Sequence, residues 1–420
     1  MPESAPLRVA LLTYRGNPHS GGQGVYVKYL ARALTQLGHS VEVFSGQPYP
    51  EVDRGLTRVP GLDLYRSPDP FRTPHPREFR DWIDALEFGV MCTAGFPEPL
   101  TYSLRVHRLL QDRRADFDII HDNQCLGYGI LQLAREGWPV LATIHHPIHM
   151  DRHLELTHSA SWRRRLAQRR WFGFLRMQSR VARQLARVLT VSESSARDLV
   201  RYMGLSPDRL SVVPIGVDHD VFKPLPQVPR VAGRILAMAS ADVALKGLMP
   251  LLEAMARLRS TTPAELVIVA RPRAGSEIPA TLRRLGLEGS VRFVNGISDE
   301  ELVRHYAEAE VAVVPSLYEG FSLPAIQAMA CGLPLVATSA GALPEVVGRH
   351  DETGLLVEPG NPVALAAALA RALGDPGLRT RLADAGRARA LNRFSWEACA
   401  ASTAEQYRQV VFSQPVARAA

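Results

Sequence analysis

The chain has 420 residues, too many for one ordinary hydrophobic core, so two domains are expected. Its 46% hydrophobic and 22% charged residues exclude a disordered chain, and no stretch approaches the roughly 20 apolar residues of a membrane span. Cys92, Cys125, Cys331 and Cys399 form no Cys-x-x-Cys pair, which argues against a disulfide framework or a zinc site, while the net charge of +7 suits anionic ligands or an anionic membrane face.

Leu7 to Tyr14 reads as a buried first strand; the apolar run Val9 to Leu12 is too short for a signal peptide. It feeds the turn Arg15-Gly-Asn-Pro-His-Ser-Gly-Gly-Gln-Gly24. A helix follows with Val25, Tyr29, Ala33 and Leu37 on one face, closed by Gly38. A glycine turn between strand and helix lets backbone N–H groups meet an anion, and it is equally the mark of a tight structural turn. Val41 to Phe44 is the second strand, and the proline-rich stretch Gln47 to Pro76 predicts loops and short strands. Pro99 to Gln111 predicts a helix, and Phe117 to His121 a strand. Asp116-Phe-Asp118 imitates an Asp-x-Asp metal motif but precedes that strand instead of joining a site, so no metal is expected.

Two strand ends, Ile120-His-Asp-Asn-Gln124 and Ile144-His-His-Pro-Ile-His149, gather histidines. Imidazoles there can bond sugar hydroxyls and move protons near neutrality, although a lone histidine at a strand end serves structure as readily. Ser161 to Arg187 carries nine arginines and no acid, interleaved with Trp162, Trp171, Phe172 and Phe174. One reading lays this helix on an anionic bilayer through Arg163, Arg164, Arg165, Arg169 and Arg170, each basic residue adding on the order of 1 kcal/mol near the surface. The other is a connecting helix, apolar toward the domain and solvated on its arginine face. No recognition module accompanies the charge, so nucleic acid is not an expected partner. Ser192-Glu-Ser-Ser195 caps a helix to Met203, and Leu210 to Val213 is a strand. Pro214-Ile-Gly-Val-Asp218 then runs into a stiff connector with Pro224, Pro226 and Pro229.

Ile235 to Ala239 opens a second strand–helix series, and Lys246-Gly247 precedes its first helix. Glu265 to Ala270 and Val291 to Val294 read as strands, and Asn295-Gly-Ile-Ser-Asp-Glu300 caps a helix to Ala309. The apolar run Val311-Ala-Val-Val-Pro315 is a buried-strand signal. Tyr318-Glu-Gly-Phe-Ser322 then turns, with Ser322 as N-cap and Pro324 in the first helical turn. Leu323, Ile326 and Ala330 recur at helical spacing, Cys331-Gly332 closes that helix, and Leu333 to Ala337 is the next strand. This order puts Glu319 and the N–H groups of Phe321, Ser322 and Leu323 at the C-terminal ends of parallel strands, where open α/β sheets bind ligands. A carboxylate beside a phosphate-seeking helix end points to a nucleotide sugar; an ordinary βαβ unit whose glycines only permit packing fits the spacing as well. Gly354 to Val357 is a further strand, Asn361-Pro362 begins a helix, and helices run from about Pro376 to Val411.

From Leu317 to Gly348 the chain resembles the donor-site segment of the retaining family-four glycosyltransferases: Glu-Gly-Phe, a small residue, Leu-Pro, then Ala-Met-Ala-x-Gly-x-Pro. The resemblance extends through Gly21–Gly46, Val188–Asp218 and Ile235–Val357. It implies an α/β fold of the GT-B class, two Rossmann-like parallel-sheet domains facing across a cleft. Residues 1–218 would form the acceptor-side domain and 219–394 the nucleotide-sugar domain, with 395–420 a helix crossing back to the first. The implied activity is retaining, metal-independent transfer of a sugar from a nucleotide-diphosphate sugar, the co-substrate, to an acceptor hydroxyl such as a lipid or cell-envelope glycan, with no cofactor required. In the implied site His145 and Glu319 are catalytic. Gly22, Gly24, Lys246, Gly296, Ile297, Gly320, Phe321, Ser322, Leu323 and Gln327 bind the donor, and His121, Asp122 and His146 lie on the acceptor side.

Two departures from the family pattern stand out. Gln327 occupies the place of the family's second acid, and Ser240 or Ala241 that of a loop arginine, for which Arg271 or Arg273 is a candidate substitute beside Lys246. They keep open a degenerate sugar-nucleotide-binding protein, and the shared architecture keeps open a non-hydrolysing nucleotide-sugar epimerase. The expected location is cytoplasmic, at the inner membrane face if the arginine-rich helix meets lipid.

Overall fold

The computed structural model describes residues 5–17, 22–66, 69–157, 161–238, 244–272 and 275–413. The described residues divide into two compact units: Ser192–Ser194 and those within Pro214–Ser395 form the second, and the others, including Trp396–Ser413, form the first.

The first unit is built on seven strands: β1 (Arg8–Thr13), β2 (Ser40–Ser45), β3 (Leu56–Arg58), β4 (Ile119–Asn123), β5 (Val140–Ile144), β6 (Arg187–Thr190) and β7 (Leu210–Val212). Their order is β3-β2-β1-β4-β5-β6-β7, and every neighbouring pair is parallel. Strands β4 and β5 are buried at every position, the pattern of parallel strands covered on both faces. The helices are α1 (Gln23–Gln36), α2 (Trp82–Cys92), α3 (Glu98–Gln111), α4 (Tyr128–Arg135), α5 (His149–Thr157), α6 (Trp162–Trp171), α7 (Phe174–Ala182) and α8 (Glu193–Met203).

In this unit α2, α4 and α5 fall where no helix was expected, and the arginine-rich stretch is not one helix. Helix α2 was not anticipated, because its buried face carries Asp84 and Glu87, which interrupt the apolar period. Arg105 makes that burial tenable by bonding both carboxylates, at 2.6 Å to Asp84. The arginine-rich stretch is two helices broken at Phe172–Gly173: α6 buries no residue, and α7 turns Leu175, Met177 and Val181 inward.

The second unit repeats the plan with β8 (Arg234–Ala237), β9 (Glu265–Val269), β10 (Val291–Val294), β11 (Val311–Val314), β12 (Leu335–Thr338) and β13 (Leu355–Val357). These are parallel in the order β10-β9-β8-β11-β12-β13. Helices α9 (Leu248–Arg259), α10 (Ile278–Arg284), α11 (Asp299–Glu308), α12 (Leu323–Ala330), α13 (Leu343–Val347), α14 (Pro362–Gly374) and α15 (Pro376–Arg393) complete it, and α16 (Trp396–Ser413) belongs to the first unit. Both sheets are Rossmann-like: strand order reverses between β1 and β4 in one and between β8 and β11 in the other, and loops leaving those pairs diverge to open a crevice.

Candidate active site

In the second unit the reversal sets the connection before α9 beside the one before α12. Leu317 N–H donates to Leu245 O at 2.7 Å, tying the two loops together. Lys246 Nζ then lies 2.8 Å from Glu319 Oε1, and Ser316 Oγ donates to the same oxygen at 2.8 Å. The carboxylate is only 9% exposed and the lysine 33%, so one partner is enclosed and the other reaches outward. The close approach depends on Gly247, whose φ is +65° and where a Cβ would stand 1.9 Å from Pro315 O. Ser240 and Ala241, at the loop-arginine position, and Arg273 lie outside the described residues; Arg271 is exposed.

Ser322 caps α12 as expected, its hydroxyl accepting from Ala325 N–H at 3.4 Å. Its φ of +144° is costly for a residue with a side chain, a strain that concentrates at ligand sites. Phe321 and Ser322 are buried, Phe321 edge-on to Phe394 at 5.6 Å, so this turn offers a ligand its backbone more than its side chains. Pro324 has no N–H, which leaves the donors preceding it to meet an anion. Gly320 is half-buried beside them. One turn into α12, Gln327 is half-buried with its Oε1 3.5 Å from the Tyr306 hydroxyl. Gly296 is exposed and Ile297 half-buried, directly before the Ser298–Glu301 capping box of α11.

In the first unit Gly22 caps α1, and a Cβ on Gly24 would stand 2.2 Å from Asn17 O, so the glycine turn is packed tightly at that position. His145, at the end of β5, is held on three sides. Its Nε2 lies 2.8 Å from Asn123 Oδ1, its N–H donates to Gln124 Oε1 at 2.8 Å, and the Tyr26 ring stands edge-on at 4.7 Å. Burial lowers its pKa to about 3, so the ring is neutral; Nε2–H donates to Asn123 and Nδ1 remains an acceptor.

His121 and Asp122, expected on the acceptor side, are sealed from solvent because the β1–β4 register sets them on the innermost strand pair. His121 spends both nitrogens internally, on the Tyr407 hydroxyl at 2.6 Å and the Thr143 hydroxyl at 2.7 Å, and burial lowers its pKa to about 3. Asp122 accepts from Leu126 N–H at 2.7 Å, and burial raises its carboxyl to about 7. His146 is half-buried, 3.1 Å from Asp151. Sequence reasoning did not select Tyr26, Asn123, Gln124 or Ser316. Asn123 and Gln124 stand in the polar strand end that drew attention to the histidines, and a small hydroxyl directly after an apolar strand was the available signal for Ser316.

Comparison with known proteins bears on both units. The family model for glycosyl transferases group 1 matches residues 232–375, and that for glycosyltransferase family 4 matches 20–221. The MMP alpha-(1->4)-mannosyltransferase of Mycolicibacterium hassiacum is 52% identical over 408 residues, covering 96% of this chain and 98% of that protein. A D-inositol 3-phosphate glycosyltransferase of Streptomyces bingchenggensis is 29% identical over 436 residues, covering 97% and 90%. Among solved structures, sucrose-phosphate synthase from Thermosynechococcus elongatus matches with a TM-score of 0.75 at 25% identity, over 97% of this chain and all of that one. Two doubly wound sheets of the GT-B class, matched by both family models and by a half-identical relative along nearly its full length, make the chain a glycosyltransferase enzyme belonging to the group 1, family-four glycosyltransferases.

Proposed function

We propose that the enzyme transfers a mannosyl residue from a nucleotide-diphosphate sugar to a saccharide hydroxyl, with retention of anomeric configuration. The observation that carries this reading is the Lys246–Glu319 pair beside the start of α12. The named activity of the half-identical relative supports mannose as the sugar. Lys246 exchanges Glu319 for the donor diphosphate, and the N–H groups around Phe321 to Leu323 meet the same phosphates. Negative charge grows on that diphosphate as the glycosidic bond breaks, so these donors stabilise the transition state more than the ground state. Glu319, once released, accepts from a hydroxyl of the transferred sugar. Gln327 accepts from the ribose with an amide oxygen, a weaker bond than a carboxylate would make, and the backbone at Gly296 and Ile297 faces the base. On the acceptor side, neutral His145 presents Nδ1 to a hydroxyl, and the departing phosphate oxygen takes the acceptor proton. Lysine and helix end together meet the leaving charge, so this transfer proceeds without a divalent ion.

The test is incubation with GDP-, UDP- and ADP-linked hexoses and a manno-oligosaccharide in the presence of EDTA. An α-linked product and free nucleoside diphosphate should form only when donor and acceptor are both present. Lys246→Ala should lower kcat/KM for the donor by about 100-fold, the scale of one lost transition-state donor. Conversion of the donor to an epimer without acceptor would sink the reading.

Helix α6 supports a second contact, with an anionic membrane face: Trp162 and Leu166 are 71% and 61% exposed among Arg163, Arg164, Arg165, Arg169 and Arg170. Among the described residues no helix is long and apolar enough to cross a membrane, so such contact would be peripheral.

A further inference from the structure

Separate segments of the first unit bring four aromatic rings together at a place the transfer chemistry above does not use. Phe96 lies 5.0 Å from Trp171 and 5.5 Å from Tyr65, ring centre to ring centre. Phe71 stands edge-on to Tyr65 at 5.4 Å and 6.0 Å from Trp171. Tyr65, Phe96 and Trp171 are partly buried, whereas Phe71 is 60% exposed. The Arg15 guanidinium passes 5.5 Å over Tyr65 and 5.3 Å over Phe96, and it forks onto Glu98 with Nη2 2.7 Å from Oε1. Arg15 follows β1 and Tyr65 follows β3, on the side of a parallel sheet that takes ligands.

Phe71 is held there against its own backbone preference. Its φ is +65°, a region that a bulky residue adopts only when its surroundings enforce it. The enforcement is visible: Phe71 and Arg72 N–H both donate to Leu64 O, at 2.8 and 3.3 Å. Arg72, 8% exposed, forks onto Glu78, with Nη1 3.1 Å from Oε1. Trp171 is fixed from the opposite direction, since Arg170 donates to Thr93 O and Oγ1 at 3.2 and 3.1 Å. Folding alone gains little from a large ring clamped outward on a strained turn; a ligand that stacks on it gains.

The surrounding charge narrows what that ligand can be. Asp63, Glu87 and Glu98 line the adjoining cavity, against the guanidinium groups of Arg105, in its wall, and Arg15. Arg15, Arg72 and Arg105 are each paired with a carboxylate, of Glu98, Glu78 and Glu87, so none of the three is left to meet a phosphate, and a neutral ligand fits. Aromatic faces with a few fixed polar groups among them match the alternating C–H faces and hydroxyl rims of pyranose rings.

We propose that Arg15, Tyr65, Phe71, Phe96, Glu98 and Trp171 form a platform for a neutral oligosaccharide acceptor, the rings stacking on sugar faces and the Arg15–Glu98 pair bonding hydroxyls. This rests on the proposed transfer to a saccharide hydroxyl and narrows it to an uncharged chain over a phosphorylated polyol. The probe is an α-1,4-linked mannotetraose titrated into the full-length protein while tryptophan fluorescence is followed. Wild type should respond, and Phe71→Ala, which removes an exposed ring and should keep the wild-type thermal transition, should bind at least tenfold more weakly. In turnover Phe71→Ala and Trp171→Ala should each raise the acceptor KM at least tenfold with the donor KM unchanged, and inositol 3-phosphate should not displace the tetraose.

Unchanged acceptor KM in both variants, displacement by inositol 3-phosphate, or no response at millimolar tetraose would each overturn the platform. So would loss of phosphatidylglycerol-vesicle binding in Phe71→Ala with saccharide affinity intact, which would make the patch a lipid-docking surface. The titration needs no donor. Tetraose binding weakened by Phe71→Ala without turnover of any nucleotide sugar would therefore uphold the platform and defeat the transfer reading, and transfer with unchanged acceptor KM would do the reverse.

Discussion

Lys246 and Glu319 are paired at 2.8 Å, and in the proposed reading a diphosphate would draw the lysine away. A carboxylate with 9% exposure is costly without a partner, and Lys246 with Ser316 Oγ satisfies it. The same enclosure acts on His121, whose pKa falls to about 3 from an unfolded value near 6.5. Between those values the unfolded chain binds a proton that the folded chain refuses. The stability His121 contributes is therefore complete above pH 6.5 and is lost as the pH falls below it. The advantage of wild type over His121→Gln should shrink by about 2 kcal/mol between pH 7 and pH 5, at 1.36 kcal/mol per unit below 6.5. Urea denaturation at the two pH values measures it; a constant difference would mean that the histidine titrates as if exposed. From residue types alone His121 and His145 looked alike. Their fates differ because one lies against β1 and α16, while the other ends its strand beside Tyr26.

At the level of elements, local chemistry was largely readable. The Ser322 cap, Pro324 in the first turn and the glycine after Cys331 are short-range signals, and α12 starts and stops where they require. Gly247 is the joint between two such elements. Gly247→Ala adds a Cβ 1.9 Å from Pro315 O at a φ of +65°, so it should destabilise the protein by about 2 kcal/mol or more and weaken donor binding by moving Lys246. Denaturant titration and nucleotide binding by calorimetry check both effects. Helix α2 escaped the sequence because Asp84 and Glu87 are buried through Arg105, a partner on another helix. Helix α6 is the opposite case, a helix with no buried residue. Reversing Arg163, Arg164 and Arg165 to Glu should leave stability within about 0.5 kcal/mol. It should also weaken sedimentation with anionic vesicles; undiminished sedimentation would remove the membrane contact.

Among the described residues each unit carries an apolar core covered by elements drawn from distant parts of the chain. Helix α16 supplies the first unit with Trp396, stacked on Tyr29 at 5.3 Å, and with Tyr407, fully buried against His121. Ending the chain after Ser395 should therefore abolish the first unit's cooperative melting while the second still gains thermal stability from a nucleoside diphosphate, a ligand that binds only its folded form. A single transition lost as a whole would contradict this. The sequence by itself determined the strands and those helices that carry a clear period, cap or closing glycine, such as α1, α12 and α14, because these signals act over a few residues. Only the tertiary structure decided which side chains meet. Lys246 reaches Glu319 across 73 positions and His121 reaches Tyr407 across 286, contacts set by the order of strands in a sheet and by the return of the last helix, neither of which any local pattern encodes.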